Sequence, residues 1–118
     1  MRNILIVAFG GMIGTVARYV LYVNYPFQHF PYTTLIINIA GSLIIGAIAG
    51  YAIKQISFED WRLFLATGVC GGFTTFSAFS LECVQLLQQS RNIAACVYIL
   101  SSIVFGIAAA FAGYYFTK

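Results

Sequence analysis

The chain has 118 residues, of which 61% are apolar and 8% are charged, and its formal net charge is +3. Soluble domains typically have about 45–50% apolar and about 25% charged residues, so this composition excludes an ordinary water-soluble domain. The basic residues are spread along the chain rather than clustered, and we therefore expect no nucleic-acid partner. The expected surroundings are a lipid bilayer.

Four apolar segments separated by short polar joints are predicted to be transmembrane helices. Each reaches the roughly 20 residues that a helix needs to cross the hydrocarbon core. Helix is also the state in which such a segment satisfies its own backbone hydrogen bonds in lipid. The predicted fold class is an all-α membrane protein with a single domain over residues 1–118. Its predicted spans cover about residues 4–23, 33–53, 63–87 and 93–116.

The first span contains Arg18, the only cation placed well inside an apolar segment. A charge in lipid is costly, so we expect Arg18 either to extend to the interface or to attract anions to a pore mouth. Four spans put both termini on one side of the membrane. That side has four basic residues (Arg2, Lys54, Arg62, Lys118), and the other has Arg91 and at most Arg18. This weak bias leaves insertion in both orientations open.

The second and fourth spans are uncharged, but polar side chains recur on one face of each. In the second span Asn38 shares a face with Thr34 and Ser42. Its amide needs a partner in the membrane, which is either a neighbouring helix or an anion. In the fourth span Tyr98 and Ser102 share a face. Their hydroxyls can donate to a passing anion or bond to their own helix.

The third span contains the sequence GGFTTFSAFS at residues 71–80. Paired glycines and threonines are poor helix formers, so we expect a helix break whose carbonyls are satisfied by protein or by an ion. The alternative is a kinked helix whose hydroxyls bond to the preceding turn. Phe76 and Phe79 share the face beyond this point, and their positive ring edges could hold an anion or simply pack. Glu82, near the end of the segment, is expected to meet water or a basic neighbour.

Three motifs resemble those of the CrcB/Fluc fluoride channels: GGMIGTVARY at residues 10–19, NIAGS at 38–42 and GVCGGFTTFSAFS at 68–80. The similarity extends across all four spans, and the third motif is highly specific. The resemblance implies passive, selective fluoride export through the plasma membrane of a prokaryote, which is the inner membrane in a Gram-negative cell. It also implies an antiparallel, dual-topology homodimer with the third helix broken near mid-membrane and two fluoride pathways along the subunit interface.

The resemblance also implies roles for particular residues. The fluoride pathway would be formed by ring edges, an amide and hydroxyls, from Phe76, Phe79, Asn38, Tyr98 and Ser102. Arg18 would lie near the pore entrance. Carbonyls of Gly71 and Thr74 from both copies would hold one structural sodium ion at the dimer centre. Ala78 stands where the family often has a hydroxyl residue, and Gly106 stands where a further hydroxyl sometimes occurs. These two departures change the details of the row of polar side chains along the pathway.

Three other classes of function are compatible with a small membrane protein: an enzyme, a proton-coupled exporter and a scaffold or heterodimer subunit. An enzyme is not expected, because the sequence has no histidine cluster, Ser–His–acid set, phosphate loop or paired carboxylates. A small proton-coupled drug exporter also has four spans, but it needs a carboxylate deep in the membrane, and the predicted place of Glu82 fits this poorly. A non-conducting scaffold remains open, and so does one subunit of a heterodimeric fluoride channel.

Overall fold

The computed structural model describes residues 1–118 apart from the side chain of residue 56, and its regular structure over this range is entirely helical. Helix α1 spans Arg2–Asn24 and α2 spans Tyr32–Ala52. A 3₁₀ turn at Ile56–Phe58 precedes the third span, Glu59–Gln88. The third span is divided into α3 (Glu59–Arg62), a π-helical segment (Leu63–Cys70), α4 (Gly71–Phe73) and α5 (Phe76–Gln88). The fourth span, α6, is Asn92–Thr117.

All four spans are long and apolar enough to cross a membrane, with lengths of 23, 21, 30 and 26 residues in chain order. Large apolar side chains are exposed along them, for example Phe9, Leu100 and Phe111, as expected for surfaces that face lipid rather than water. The longest dimension of the molecule is 50 Å, which is enough to cross a bilayer of about 40–45 Å including its headgroups. The predicted all-α, four-span fold is confirmed.

The spans pack in two pairs, α1 against the third span and α2 against α6. Glycines allow the backbones to approach closely at both contacts. A β-carbon at Gly14 of α1 would overlap the carbonyl of Val69, and one at Gly46 of α2 would overlap the carbonyl of Ala110. The second helix also contacts the third span, and this contact positions the functional groups described below.

The third span is broken at Thr74 and Thr75, which confirms the predicted interruption. Both residues are extended, with φ/ψ of −81°/154° and −151°/124°. The break lies at the middle of Glu59–Gln88. Gly71 and Gly72 themselves stay helical, so the chain leaves the helix just after the glycines. The preceding π-helical segment was not predicted from the sequence; such segments are rare and often occur near functional sites.

Candidate functional site

The two threonines at the break form hydrogen bonds with backbone groups on either side of it. The amide and hydroxyl of Thr74 both donate to the carbonyl of Cys70, at 2.9 and 2.8 Å. The hydroxyl of Thr75 caps α5 by accepting the amide of Ala78 at 3.2 Å. The hydroxyl bond to the preceding turn is the one expected for a kinked helix, but here the chain becomes fully extended beyond it.

Asn38 joins α2 to the break through both ends of its side-chain amide. Its Oδ1 accepts the amide hydrogen of Thr75 at 3.0 Å, and its Nδ2 donates to the carbonyl of Thr75 at 3.1 Å. Of the two partners left open by the sequence, the structure therefore shows the neighbouring backbone. An amide nitrogen carries two hydrogens, so one donor of Asn38 remains after the bond to Thr75.

Two carbonyls at the break are deprived of their usual helical donors. In a continuous helix, Gly71 C=O would accept from the amide of Thr75, and Thr74 C=O from the amide of Ala78. Instead, the amide of Thr75 donates to Asn38, and that of Ala78 donates to the Thr75 hydroxyl. These are the two carbonyls for which the resemblance implies a cation. Carbonyl oxygens are suitable ligands for a hard cation, so the donor set fits the group.

An open groove of about 340 Å³ lies between α2 and the third span at the level of the break. Gly71, Thr74 and Thr75 line it from the third span, and Asn38 and Ser42 line it from α2. Polar backbone at this depth is tolerated only where protein or a water-filled cavity covers it. If only lipid covered the groove, the polar backbone groups that line it would lack hydrogen-bond partners.

The aromatic side chains form a continuous row from α5 to α6. The rings of Phe76 and Phe79 have centroids 5.6 Å apart, and those of Phe79 and Tyr98 are 5.0 Å apart. Phe76 is 78% exposed, whereas Phe79 is half-buried. The structure thus brings together the aromatic pair from the third span and the predicted polar face of the fourth.

Two hydroxyls next to this row are buried without a hydrogen-bond partner among the described residues: those of Tyr98 and Ser102. Tyr98 is completely buried, at 0% exposure. An unsatisfied buried hydroxyl costs about 1–3 kcal/mol. Both residues were expected either to donate to an anion or to bond to their own helix, and the second of these alternatives does not occur within the described part of the chain.

Glu82 differs from the expectation drawn from its place in the sequence. It is only 8% exposed, and it accepts a hydrogen bond from the Thr34 hydroxyl at 2.5 Å rather than meeting water or a basic group. The hydroxyl of Tyr22 lies 2.6 Å from the Thr34 oxygen. Because Thr34 uses its single hydrogen for Glu82, Tyr22 is the donor of this second bond.

The predicted residues therefore form two groups, with Arg18 outside both. The groove contains Asn38, Gly71, Thr74 and Phe76, and Phe79, Tyr98 and Ser102 continue from it toward α6. Arg18 is half-buried on α1, and its place at a pore entrance stays a prediction. Sequence reasoning placed Thr34 on the face of Asn38 but did not indicate its bond to Glu82. It included Thr75 in the expected break but did not indicate its bonds to Asn38, and nothing in the sequence indicates Tyr22.

The chain is similar to known proteins over almost its whole length. It matches the family described as "CrcB-like protein, Camphor Resistance (CrcB)" over residues 5–114. A fluoride-specific ion channel FluC of Flavobacterium psychrophilum is 44% identical, and the match covers 100% of this chain and 98% of that relative. One from Agrobacterium fabrum is 45% identical over 96% of this chain and 94% of its own. One from Leptospira interrogans is 40% identical, and the match covers 99% of this chain and 95% of that relative.

Proposed function

The chain belongs to the CrcB-like family, and we propose that it forms a passive, fluoride-selective channel rather than an enzyme. It works as a multi-pass protein in the plasma membrane of a prokaryote. Weakly acidic HF crosses the bilayer, dissociates in the more alkaline cytoplasm, and the trapped anion then leaves through the channel. The relatives named above are fluoride-specific ion channels, and the geometry of the broken helix supports the same activity here.

The observation that carries this proposal is the pair of buried hydroxyls, on Tyr98 and Ser102, that have no hydrogen-bond partner within the part of the chain that the structure describes. A donor left unsatisfied at this depth is expensive, and a small anion passing along α6 would satisfy it. The ring of Phe79 lies against Tyr98, and aromatic ring edges are electropositive. Together with the remaining amide hydrogen of Asn38, these groups replace water around a fluoride ion without providing a full positive charge that would trap it.

Selectivity follows from the kind of donor and from the space between donors. Amide, hydroxyl and ring-edge donors held by packed helices solvate an anion of one size well and larger anions poorly. The ring of Tyr98 packs against the rings of both Phe79 and Phe30, with centroids 5.0 and 5.6 Å away. Moving the tyrosine aside for a larger halide would disrupt both contacts. We therefore expect chloride to be excluded.

We further propose that the conducting unit is an antiparallel homodimer. In a single chain the groove at the break is open, Gly71 is exposed, and Phe76 is 78% exposed. Backbone groups at mid-membrane must be covered by protein or water. A second copy packed across the groove would cover them and would place Phe76 inside the assembly. The weak bias in basic residues is compatible with insertion of the two copies in opposite directions.

The same groove suits a structural sodium ion, which we propose is held by the carbonyls of Gly71 and Thr74 from both copies. The helical donors of these two carbonyls are directed elsewhere, and the described residues contain no cluster of three acidic, histidine or cysteine side chains that would suggest another metal. When bound, the ion supplies positive charge that offsets the partial negative charge of converging carbonyls.

The proposal is tested with purified protein in liposomes loaded with equal concentrations of fluoride and chloride salts. Efflux is started with valinomycin under a potassium gradient, without a proton gradient, and is followed with ion-selective electrodes. We expect rapid fluoride release and almost no chloride release. Equal release of the two anions would contradict selectivity, and a requirement for a proton gradient would contradict passive transport.

Assembly is tested separately from flux. Crosslinking of the chain expressed alone, in liposomes, should give a dimer, and cysteines introduced at the two ends of one span should each be labelled from both sides of the membrane. A dimer that forms only with a related chain would favour the heterodimer instead. Labelling of each end from one side only would exclude dual topology.

A further inference from the structure

The bonds between Asn38 and Thr75 have the geometry of a paired strand rather than of a helix contact. A residue in extended conformation directs its own N–H and C=O toward the same side, where one partner can bond to both. Thr75 is extended, and the amide of Asn38 pairs with both groups at 3.0 and 3.1 Å. A single side chain on α2 therefore replaces the helical bond of the Thr75 amide and adds a second donor to the Thr75 carbonyl, which as the N-cap carbonyl also begins α5.

This pairing explains why the Gly71 carbonyl lacks its helical donor. Had the amide of Thr75 kept its helical partner, it would have bonded to Gly71 C=O. Asn38 Oδ1 accepts that hydrogen instead. The amide of Ala78, which would donate to Thr74 C=O in a continuous helix, donates instead to the hydroxyl of Thr75. The availability of the Gly71 carbonyl thus depends on α2, and that of the Thr74 carbonyl on the threonine itself.

We infer that Asn38 is a positioning residue for the proposed sodium site, because it keeps Thr75 extended and so leaves the Gly71 carbonyl free to bind the ion. This inference rests on the proposed function. The same amide has one hydrogen left for an anion. One side chain therefore connects the sodium site to the fluoride pathway: Oδ1 and one Nδ2 hydrogen bond to Thr75, and the second Nδ2 hydrogen is left for the anion.

Two substitutions separate the roles. Asn38→Leu is close in volume but removes both bonds to Thr75. Asn38→Asp keeps an oxygen that accepts the Thr75 amide, and when protonated it can also donate to the Thr75 carbonyl, but it has no further hydrogen for fluoride. The matched control is Ser42→Ala, one turn further along α2, which lines the same groove and makes no recorded bond to Thr75 among the described residues.

The main measurement does not depend on flux. Purified dimers are exchanged into sodium chloride or into choline chloride of equal concentration, and the Tm is measured over a series of sodium concentrations. A ligand that binds only the folded state raises the Tm with increasing concentration. We expect a sodium-dependent rise in the wild type, in Ser42→Ala and in Asn38→Asp, and loss of most of that rise in Asn38→Leu. In liposomes, Asn38→Asp should conduct fluoride poorly despite its intact sodium response.

The outcomes distinguish this inference from the proposals on which it rests. A sodium-dependent rise in Asn38→Leu equal to that of the wild type would overturn the positioning role and leave the sodium site in place. If Asn38→Leu yields no folded dimer, loss of the sodium response in Asn38→Asp would overturn it equally. No sodium response in the wild type would overturn the sodium site and this inference together, while fluoride efflux would still test the channel by itself.

Discussion

The ring of Phe79 lies against the ring of Tyr98, with centroids 5.0 Å apart and planes inclined at 52°. This contact joins the second half of the broken helix to α6 and packs an aromatic ring against the ring of Tyr98, whose hydroxyl has no hydrogen-bond partner among the described residues. A contact made only for packing would not need the hydroxyl. Its presence at a completely buried position is explained if, as proposed above, the hydroxyl donates to a passing anion.

The first prediction concerns these hydroxyls. Tyr98→Phe and Ser102→Ala each remove a polar group that has no hydrogen-bond partner among the residues described, so neither should lower the free energy of unfolding, and a small increase is expected. Fluoride efflux should fall by about tenfold or more, equivalent to at least about 1.4 kcal/mol in the barrier. Efflux and Tm are measured on the same preparations. Ser101→Ala, one residue from Ser102, is the control and should change neither quantity. A fall in Tm without a fall in efflux would mean that the hydroxyls are structural.

Much of the fold could be predicted because an apolar segment in lipid must satisfy its own backbone hydrogen bonds, and a helix does so. The interruption of the third span could also be predicted, since its cause is local in GGFTTFSAFS at residues 71–80. Its position at Thr74 and Thr75 could not, because the extended state of Thr75 is stabilised by Asn38, which is 37 residues earlier in the sequence. The π-helical segment at Leu63–Cys70 likewise lacks a local sequence pattern that would have indicated it.

The expectation for Glu82 was wrong for a related reason. Closeness to the end of an apolar segment does not imply closeness to water, because the exposure of a side chain depends on the helices that surround it. Thr34 of α2 covers the carboxyl group, and Tyr22 of α1 covers Thr34. The four-residue spacing of Thr34, Asn38 and Ser42 did indicate a polar face on α2. It did not indicate that Thr34 would donate a hydrogen bond to the buried carboxylate of Glu82. Nor did it indicate that Asn38 would bond to the backbone of Thr75.

The second prediction tests the hydrogen bonds of Glu82. Thr34→Val preserves shape but removes the donor to Glu82 and the acceptor for Tyr22, both inside the protein. The free energy of unfolding should fall by about 1–3 kcal/mol, measured as a lower Tm in detergent. The control is Thr33→Val, whose hydroxyl donates to the carbonyl of Tyr25 in an exposed bond. Equal losses in the two variants would contradict a special role for the buried bond.

The third prediction concerns the aromatic ring edge. Phe79→Leu keeps an apolar side chain against Tyr98 but removes the electropositive edge. We expect fluoride efflux to fall by about tenfold, equivalent to about 1.4 kcal/mol, with the same elution volume as the wild type on size-exclusion chromatography. Phe105→Leu on α6, where Phe105 is 56% exposed, is the control and should conduct normally. Unchanged efflux in Phe79→Leu would show that this ring only packs.

The fourth prediction concerns the contact between α2 and α6. A β-carbon at Gly46 would overlap backbone atoms of Ala110, which cannot move aside as a flexible side chain can. Gly46→Ala should therefore lower the free energy of unfolding by about 1–3 kcal/mol. At Gly106 on the same pair of helices, the nearest atom to an added β-carbon is the Ser42 hydroxyl at 3.7 Å, an ordinary contact. Gly106→Ala should keep the wild-type Tm, and comparable losses would contradict the close approach.

The last prediction distinguishes a channel from a proton-coupled exporter, and the burial of Glu82 makes this test sharper than the sequence suggested. A carboxylate that is 8% exposed inside the membrane is where an exporter would exchange protons. A passive channel needs no such exchange. Glu82→Gln keeps an oxygen that can accept from Thr34, so the local hydrogen bonds and the fold should survive.

We therefore expect cells that depend on Glu82→Gln to grow in fluoride like cells with the wild type, and efflux from liposomes to be the same with and without a proton gradient. Glu82→Leu is the companion variant: it also lacks a titratable group, but it leaves the Thr34 hydroxyl without its acceptor, so it should lower the Tm. If wild-type transport instead required a proton gradient and Glu82→Gln abolished that requirement, the carboxylate would be a coupling group, and passive conduction would be the wrong mechanism for this chain.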